Sequence, residues 1–221
     1  MKIDTKLTTM QDWTIRFRQG SSRKHVLLLL HGFTGNENAM WIFTEKLPET
    51  YWIFSPRALY PAGKIGYSWT SVPDADFSIF RQSAQKIRTL IDQLVSSFSL
   101  TPKKIDLIGF SQGAALAYTL ALTYPAWTGK TAALSGFLPH GAETIISPGL
   151  LSKNAILVTH GSQDQIIPFS ESQKAIAQLG PTGAELIHCQ EDTGHRLHTA
   201  CRRQLIRFFE QETGVNGPVP M

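Results

Sequence analysis

Lys104-Ile105-Asp106-Leu107-Ile108-Gly109-Phe110-Ser111-Gln112-Gly113-Ala114-Ala115-Leu116 decides how this chain is read. One apolar run enters a Gly-Phe-Ser-Gln-Gly step and a second, Ala114 to Leu122, leaves it. That pattern is a strand, a sharp turn and a helix, with a serine at the apex. A serine on such a turn is held clear of the sheet, its Oγ facing a cleft. The two glycines have a steric reason: without a Cβ, strand and helix can close around the turn. A Gly-x-Ser-x-Gly pattern arises by chance in roughly one chain in ten of this length. The flanking strand and helix therefore carry the weight.

Outward from this motif, short apolar or β-branched runs alternate with helical patterns. Strands are expected at 13–18, 25–30, 51–55, 104–109, 131–135, 155–159 and 185–189. Several are apolar throughout, as strands buried on both faces are. Helices are expected at 37–47, 77–98, 112–123, 170–179 and 198–210, with Ile87, Leu90, Ile91 and Leu94 marking one apolar stripe. The alternation argues a mostly parallel sheet covered on both sides. Gln19-Gly20-Ser21-Ser22 is short enough to join the first two strands as a hairpin, with one antiparallel edge strand. The chain has 221 residues, 42% hydrophobic and 17% charged, which suits a folded domain rather than disorder. Residues 1–212 are expected as one domain and 213–221, rich in Gly and Pro, as a flexible tail.

A serine hydroxyl is a weak nucleophile until a base takes its proton and a carboxylate orients the base. In an open parallel sheet such groups sit on loops after the carboxyl ends of strands. Asp164 is the only acid in the loop His160-Gly161-Ser162-Gln163-Asp164-Gln165, and His195 lies in Gln190-Glu191-Asp192-Thr193-Gly194-His195. The order Ser111, Asp164, His195 is the one this strand-turn-helix arrangement calls for. Asp164 has a competing reading as a helix cap or turn residue. His198, at the start of the final helix, is the weaker candidate base, and Glu191 and Asp192 read as solvated loop charges. An oxyanion needs two donors: the N–H of Gln112, just after the serine, and that of Phe33, in Leu30-His31-Gly32-Phe33-Thr34-Gly35. His31 reads as a structural residue pinning that loop. His160, His188, His195 and His198 have no metal-ligand spacing.

The net charge is +4, but Lys and Arg cluster only in pairs, so no nucleic-acid partner is expected. No apolar run approaches the ~20 residues of a membrane helix, and no leader-like h-region is visible. A cytoplasmic location is expected, with Cys189 and Cys201 as buried free thiols.

His31-Gly32-Phe33, Gly109-Phe110-Ser111-Gln112-Gly113, Leu134-Ser135-Gly136-Phe137-Leu138-Pro139, His160-Gly161-Ser162-Gln163-Asp164 and Gly194-His195 together resemble the α/β-hydrolase superfamily. More narrowly they resemble the small phospholipase/carboxylesterase family, which includes acyl-protein thioesterases. The resemblance runs from about residue 24 to 209. It implies an α/β-hydrolase fold, a mostly parallel mixed sheet of about seven strands with helices on both faces and no large cap domain. It also implies a triad of Ser111, Asp164 and His195, an oxyanion hole at Phe33 and Gln112, and no cofactor. Two stretches depart from the family pattern: Phe33-Thr34-Gly35-Asn36 lacks its aspartate, and so does the end of Tyr67-Ser68-Trp69-Thr70.

The implied substrate is an ester or thioester, a small molecule or an acyl chain carried by a protein, cleaved through an acyl-serine. Phe33, Met40, Trp41, Tyr67, Trp69, Phe137 and Leu138 fall near the expected active edge, and Trp41, Trp69, Phe137 and Leu138 are the candidate substrate contacts. A peptidase or amidase on the same scaffold and a non-catalytic binding module are the competing readings. A homo-oligomer is compatible with the sequence.

Overall fold

The computed structural model describes residues 4–211. Ten strands occur among them: β1 (Lys6–Met10), β2 (Trp13–Arg18), β3 (Val26–Leu30), β4 (Trp52–Pro56), β5 (Tyr60–Ala62), β6 (Gly66–Ser68), β7 (Ile105–Phe110), β8 (Thr128–Leu134), β9 (Ala155–Gly161) and β10 (Glu185–Glu191). The helices are α1 (Phe77–Ser97), α2 (Gln112–Thr123), α3 (Ser170–Leu179) and α4 (Thr199–Glu210). Eight strands form one sheet in the order β1-β2-β4-β3-β7-β8-β9-β10, and β5 and β6 form a separate hairpin. From β4 to β10 the neighbours are parallel; β1/β2 and β2/β4 are antiparallel.

The period of two along each strand divides the core. Leu28 and Leu30 of β3 share one cluster with Phe80, Ile87, Leu90, Ile91 and Leu94 of α1 and with Leu116 and Leu120 of α2. Leu27 and Leu29 point the other way, with Leu205, Phe208 and Phe209 of α4. Both faces are covered, so all five residues of β3 are buried. α2 is apolar all round because the sheet, α1 and the cluster around Ala175 and Leu179 of α3 enclose it. α1 is amphipathic and opens on Asp76, whose carboxylate accepts from Ile79 N and caps the helix.

All seven expected strands form, and an eighth, β1, joins the sheet at its edge. The expected pairing of the first two does not occur. β4 lies between β2 and β3, and the 19–25 connection runs across the start of β4, with Ser21 N on Glu49 O and Ser22 N on Thr50 O. The helix expected at 37–47 is only a 3-10 turn, Trp41–Phe43. The Trp41 indole takes the Glu37 carbonyl that a helix would have used, and Asn36 Oδ1 accepts from Asn38 N in a local turn. The expected tail at 213–221 lies outside the described residues. No helix among the described residues is long and apolar enough to cross a membrane.

Candidate active site

Ser111 sits between β7 and α2 with φ 55° and ψ −119°, a conformation costing a non-glycine residue about 1–3 kcal/mol. The turn is held by Ser111 N on Leu134 O (2.9 Å) and Ala114 N on Ser111 O (2.9 Å). Ser111 Oγ makes no capping bond to α2, so the hydroxyl is not used structurally there. Gly113 packs against the Leu30 carbonyl so closely that a Cβ would overlap it. That contact seats the serine turn on the end of β3, where the 31–35 loop begins.

The 31–35 loop is fastened from several sides. His31 is buried, its Nδ1 2.8 Å from Gly32 O and its Nε2 accepting from Ala58 N at 3.1 Å. These partners fix a neutral ring with the proton on Nδ1. Burial pushes the His31 pKa down to about 4, against the opposing bond to the Gly32 carbonyl. His31 therefore pins the loop. Thr34 N donates to Tyr67 O and Tyr67 N to Gly35 O, both at 3.0 Å, docking the β5–β6 hairpin on the loop. Beyond it, Arg57 grips buried Glu37 with two bonds of 2.7 and 2.9 Å. The Gln112 side chain ties the serine turn to the next segment: Oε1 accepts from Trp69 N (3.1 Å), and Nε2 donates to Ser68 Oγ (3.0 Å) and Thr70 Oγ1 (3.1 Å).

Asp164 and His195 come together from neighbouring strands. His195 Nδ1 donates to Asp164 Oδ2 at 2.7 Å, while Asp164 Oδ1 accepts from Ile166 N and Ile167 N, each at 2.9 Å. Burial would raise the Asp164 carboxyl, but the bonds from His195, Ile167 and Ile166 outweigh it and hold its pKa below the usual range. The helix-cap reading of Asp164 fails because its acceptors are spent on its own turn and on His195. The Phe110 and His195 ring centroids are 4.8 Å apart, so the residue before the serine packs directly on the imidazole. His198 is exposed, with its Nδ1 3.6 Å from Glu191 and away from Asp164.

Two loop charges are not simply solvated. Glu191 caps α4 by accepting from Ala200 N and Cys201 N, and Asp192 accepts from Ser162 Oγ and Gln163 Nε2. Gly161 lets the 193–194 backbone cross the end of β9, where a Cβ would stand 2.9 Å from the Thr193 carbonyl carbon. Cys189 and Cys201 are not free thiols. They form a disulfide with a Cα–Cα distance of 5.6 Å, because α4 folds back beside β10. The bridge closes a ring around the loop that carries His195.

The candidate contact residues divide. Trp69 is a correction: it is 2% exposed, its Nε1 bonds His31 O at 2.7 Å, and it belongs to the scaffold behind the loop. Met40 is buried as well. Phe137 and Leu138 are half-buried and border an open pocket of about 420 Å³ whose other walls include Asp74, Glu143, Glu171 and Lys174 and which none of Ser111, Asp164 and His195 lines. Trp41 is half-buried, and Phe33 is 55% exposed. Sequence reasoning misses the Gln112 amide clamp, the packing of Phe110 on His195, and the disulfide. The first two are visible in the sequence only as residues next to the serine.

The family model described as Phospholipase/Carboxylesterase matches residues 17–211. Carboxylesterase SOBER1 of Arabidopsis thaliana is 28% identical over 71% of this chain and 76% of its own. Acyl-protein thioesterase 1 of Kluyveromyces lactis is 30% identical over 69% of this chain and 75% of its own. The crystal structure of a carboxylesterase from Mesorhizobium loti superimposes with a TM-score of 0.81, at 18% identity, over 94% of this chain and 99% of that one. With the serine turn, the Asp164–His195 pair and the 31–35 loop on one edge of a mostly parallel sheet, this chain belongs to the phospholipase/carboxylesterase family of α/β hydrolases.

Proposed function

We propose that the chain is a serine esterase that cleaves carboxylic esters or thioesters through an acyl-enzyme. The observation that carries this is the 2.7 Å Asp164–His195 pair packed against the residue before a strained, uncommitted serine. Ser111 Oγ attacks the carbonyl carbon while His195 takes its proton. The N–H groups of Gln112 and Phe33 receive the developing oxyanion. His195 then protonates the departing alcohol or thiol, and Asp164 stabilises the imidazolium. Water, activated by His195, releases the acid and restores Ser111.

Exposed apolar side chains on the connections at the carboxyl end of the sheet favour an apolar acyl group. Among the described residues the exposed large hydrophobics are Leu7, Phe33, Ile42, Ile65, Val72 and Ile166. All but Leu7 lie in the connections that follow the carboxyl ends of β3, β4 and β9. A cytoplasmic setting is carried by sequence patterning alone, and the Cys189–Cys201 bridge counts against it, since disulfides persist in oxidising surroundings. Ser111→Ala should abolish hydrolysis of a short-chain ester and labelling by a fluorophosphonate. Substantial turnover by that variant would sink the proposal.

A further inference from the structure

His160 stands near the end of β9, four residues before Asp164, and the mechanism above leaves it unused. Its side chain is fully buried. Nε2 lies 2.9 Å from Ile167 O and 3.4 Å from Asp164 Oδ2. A carbonyl and a carboxylate oxygen both accept, so Nε2 carries the proton. Nδ1 is buried with no partner among the described residues. The ring meets Phe169 edge-on, with centroids 6.0 Å apart.

A phenyl ring would fill the same space without an orphaned nitrogen. An unpaired buried polar atom is a cost, so what the imidazole adds over a phenyl is its Nε2–H. That proton serves one short turn. Ile167 is held from both sides, its carbonyl by His160 and its N–H by Asp164 Oδ1. With Oδ1 occupied by Ile166 N and Ile167 N, Oδ2 is the oxygen left to meet His195.

We propose that His160 is a positioning residue for Asp164: its Nε2–H fixes the Ile167 peptide and faces Oδ2, so the carboxylate is held in the one orientation that receives His195 Nδ1. This rests on the esterase reading above. The test compares His160→Phe, which keeps the ring and removes the donor, with His160→Gln, which places an amide N–H near the Nε2 position. kcat and KM are measured on a short-chain ester, per active site titrated with a fluorophosphonate. His160→Phe should lower kcat about 10- to 100-fold with KM nearly unchanged, the scale of loss from a slightly misplaced catalytic group. His160→Gln should recover most of it. Wild-type kcat in the Phe variant, or an equal loss in both variants, would overturn the proposal. Should His160→Phe fail to fold, His160→Asn replaces it, because its amide stops short of Nε2: a lower kcat than Gln supports the proposal and an equal one overturns it. Failure of the esterase reading looks different, since Ser111 would then not label in the wild-type protein.

Discussion

Gly161→Ala places one methyl group under the loop that carries His195. The new Cβ would stand 2.9 Å from the Thr193 carbonyl carbon and nearer still to the Thr193 and Gly194 oxygens, whereas ordinary contact begins near 3.4 Å. These are backbone atoms, so no side chain can swing aside, and the 193–194 segment must retreat by about 1 Å. Gln163 N on Thr193 O (3.0 Å) and Ser162 N on Glu191 O (2.9 Å) hold that segment and would be stretched. The expected loss is about 1–3 kcal/mol of stability. A displacement of that size at the base should also cost on the order of 100-fold in kcat. Thermal melting and kcat on a short-chain ester, normalised by fluorophosphonate titration, measure the two effects separately. An Ala variant with wild-type kcat would refute the claim that this close approach positions His195.

Three further outcomes follow from the same structure. Replacing Cys189 and Cys201 with Ser opens a ring with a sequence separation of 12 and should cost roughly 3 kcal/mol, or roughly 10 °C in melting temperature; a thiol reductant should lower the wild-type melting point and leave the double variant unchanged. His31, pushed down to about 4 by burial, binds its proton in the unfolded chain but not in the folded one between about pH 6.5 and 4. Stability should therefore fall on acidification through that window by about 1.4 kcal/mol per pH unit, and urea unfolding of His31→Gln should show a flatter slope there. In a series of straight-chain acyl esters, each methylene the site buries contributes up to about 0.8 kcal/mol, so kcat/KM should rise by up to roughly fourfold per carbon before levelling; a flat series would argue against an acyl-chain substrate.

The parts of the fold that are legible in the sequence are those with strong local signals. α2 and α3 begin and end where expected because a serine turn and a Pro-Phe-Ser step mark their starts. β1 escapes a sequence reading because Lys6-Leu7-Thr8-Thr9-Met10 is an exposed edge strand with no buried face to set its pattern. β5 and β6 are three residues each, one containing Pro61, and exist through their docking on the 31–35 loop. At the site, the Asp164–His195 pairing and the strained turn at Ser111 follow from chain order and loop position. Trp69 cannot be placed that way, because its loop folds inward only when Gln112 takes its backbone N–H. Cys189 and Cys201 give no spacing signal, since their approach depends on α4 returning beside β10.

The sheet order also sets when this protein can first react. β7, which carries the serine turn, lies in the middle of the sheet, but β10 and α4 are the last elements of the described chain. During synthesis the Ser111 turn leaves the ribosome well before Asp164, and Asp164 before His195. Under the proposed mechanism Ser111 has no imidazole to take its proton until β10 pairs with β9, so a nascent chain that lacks β10 should not hydrolyse esters. Under that mechanism, hydrolysis of an ester reads out the completed sheet, from the central strand to its far edge.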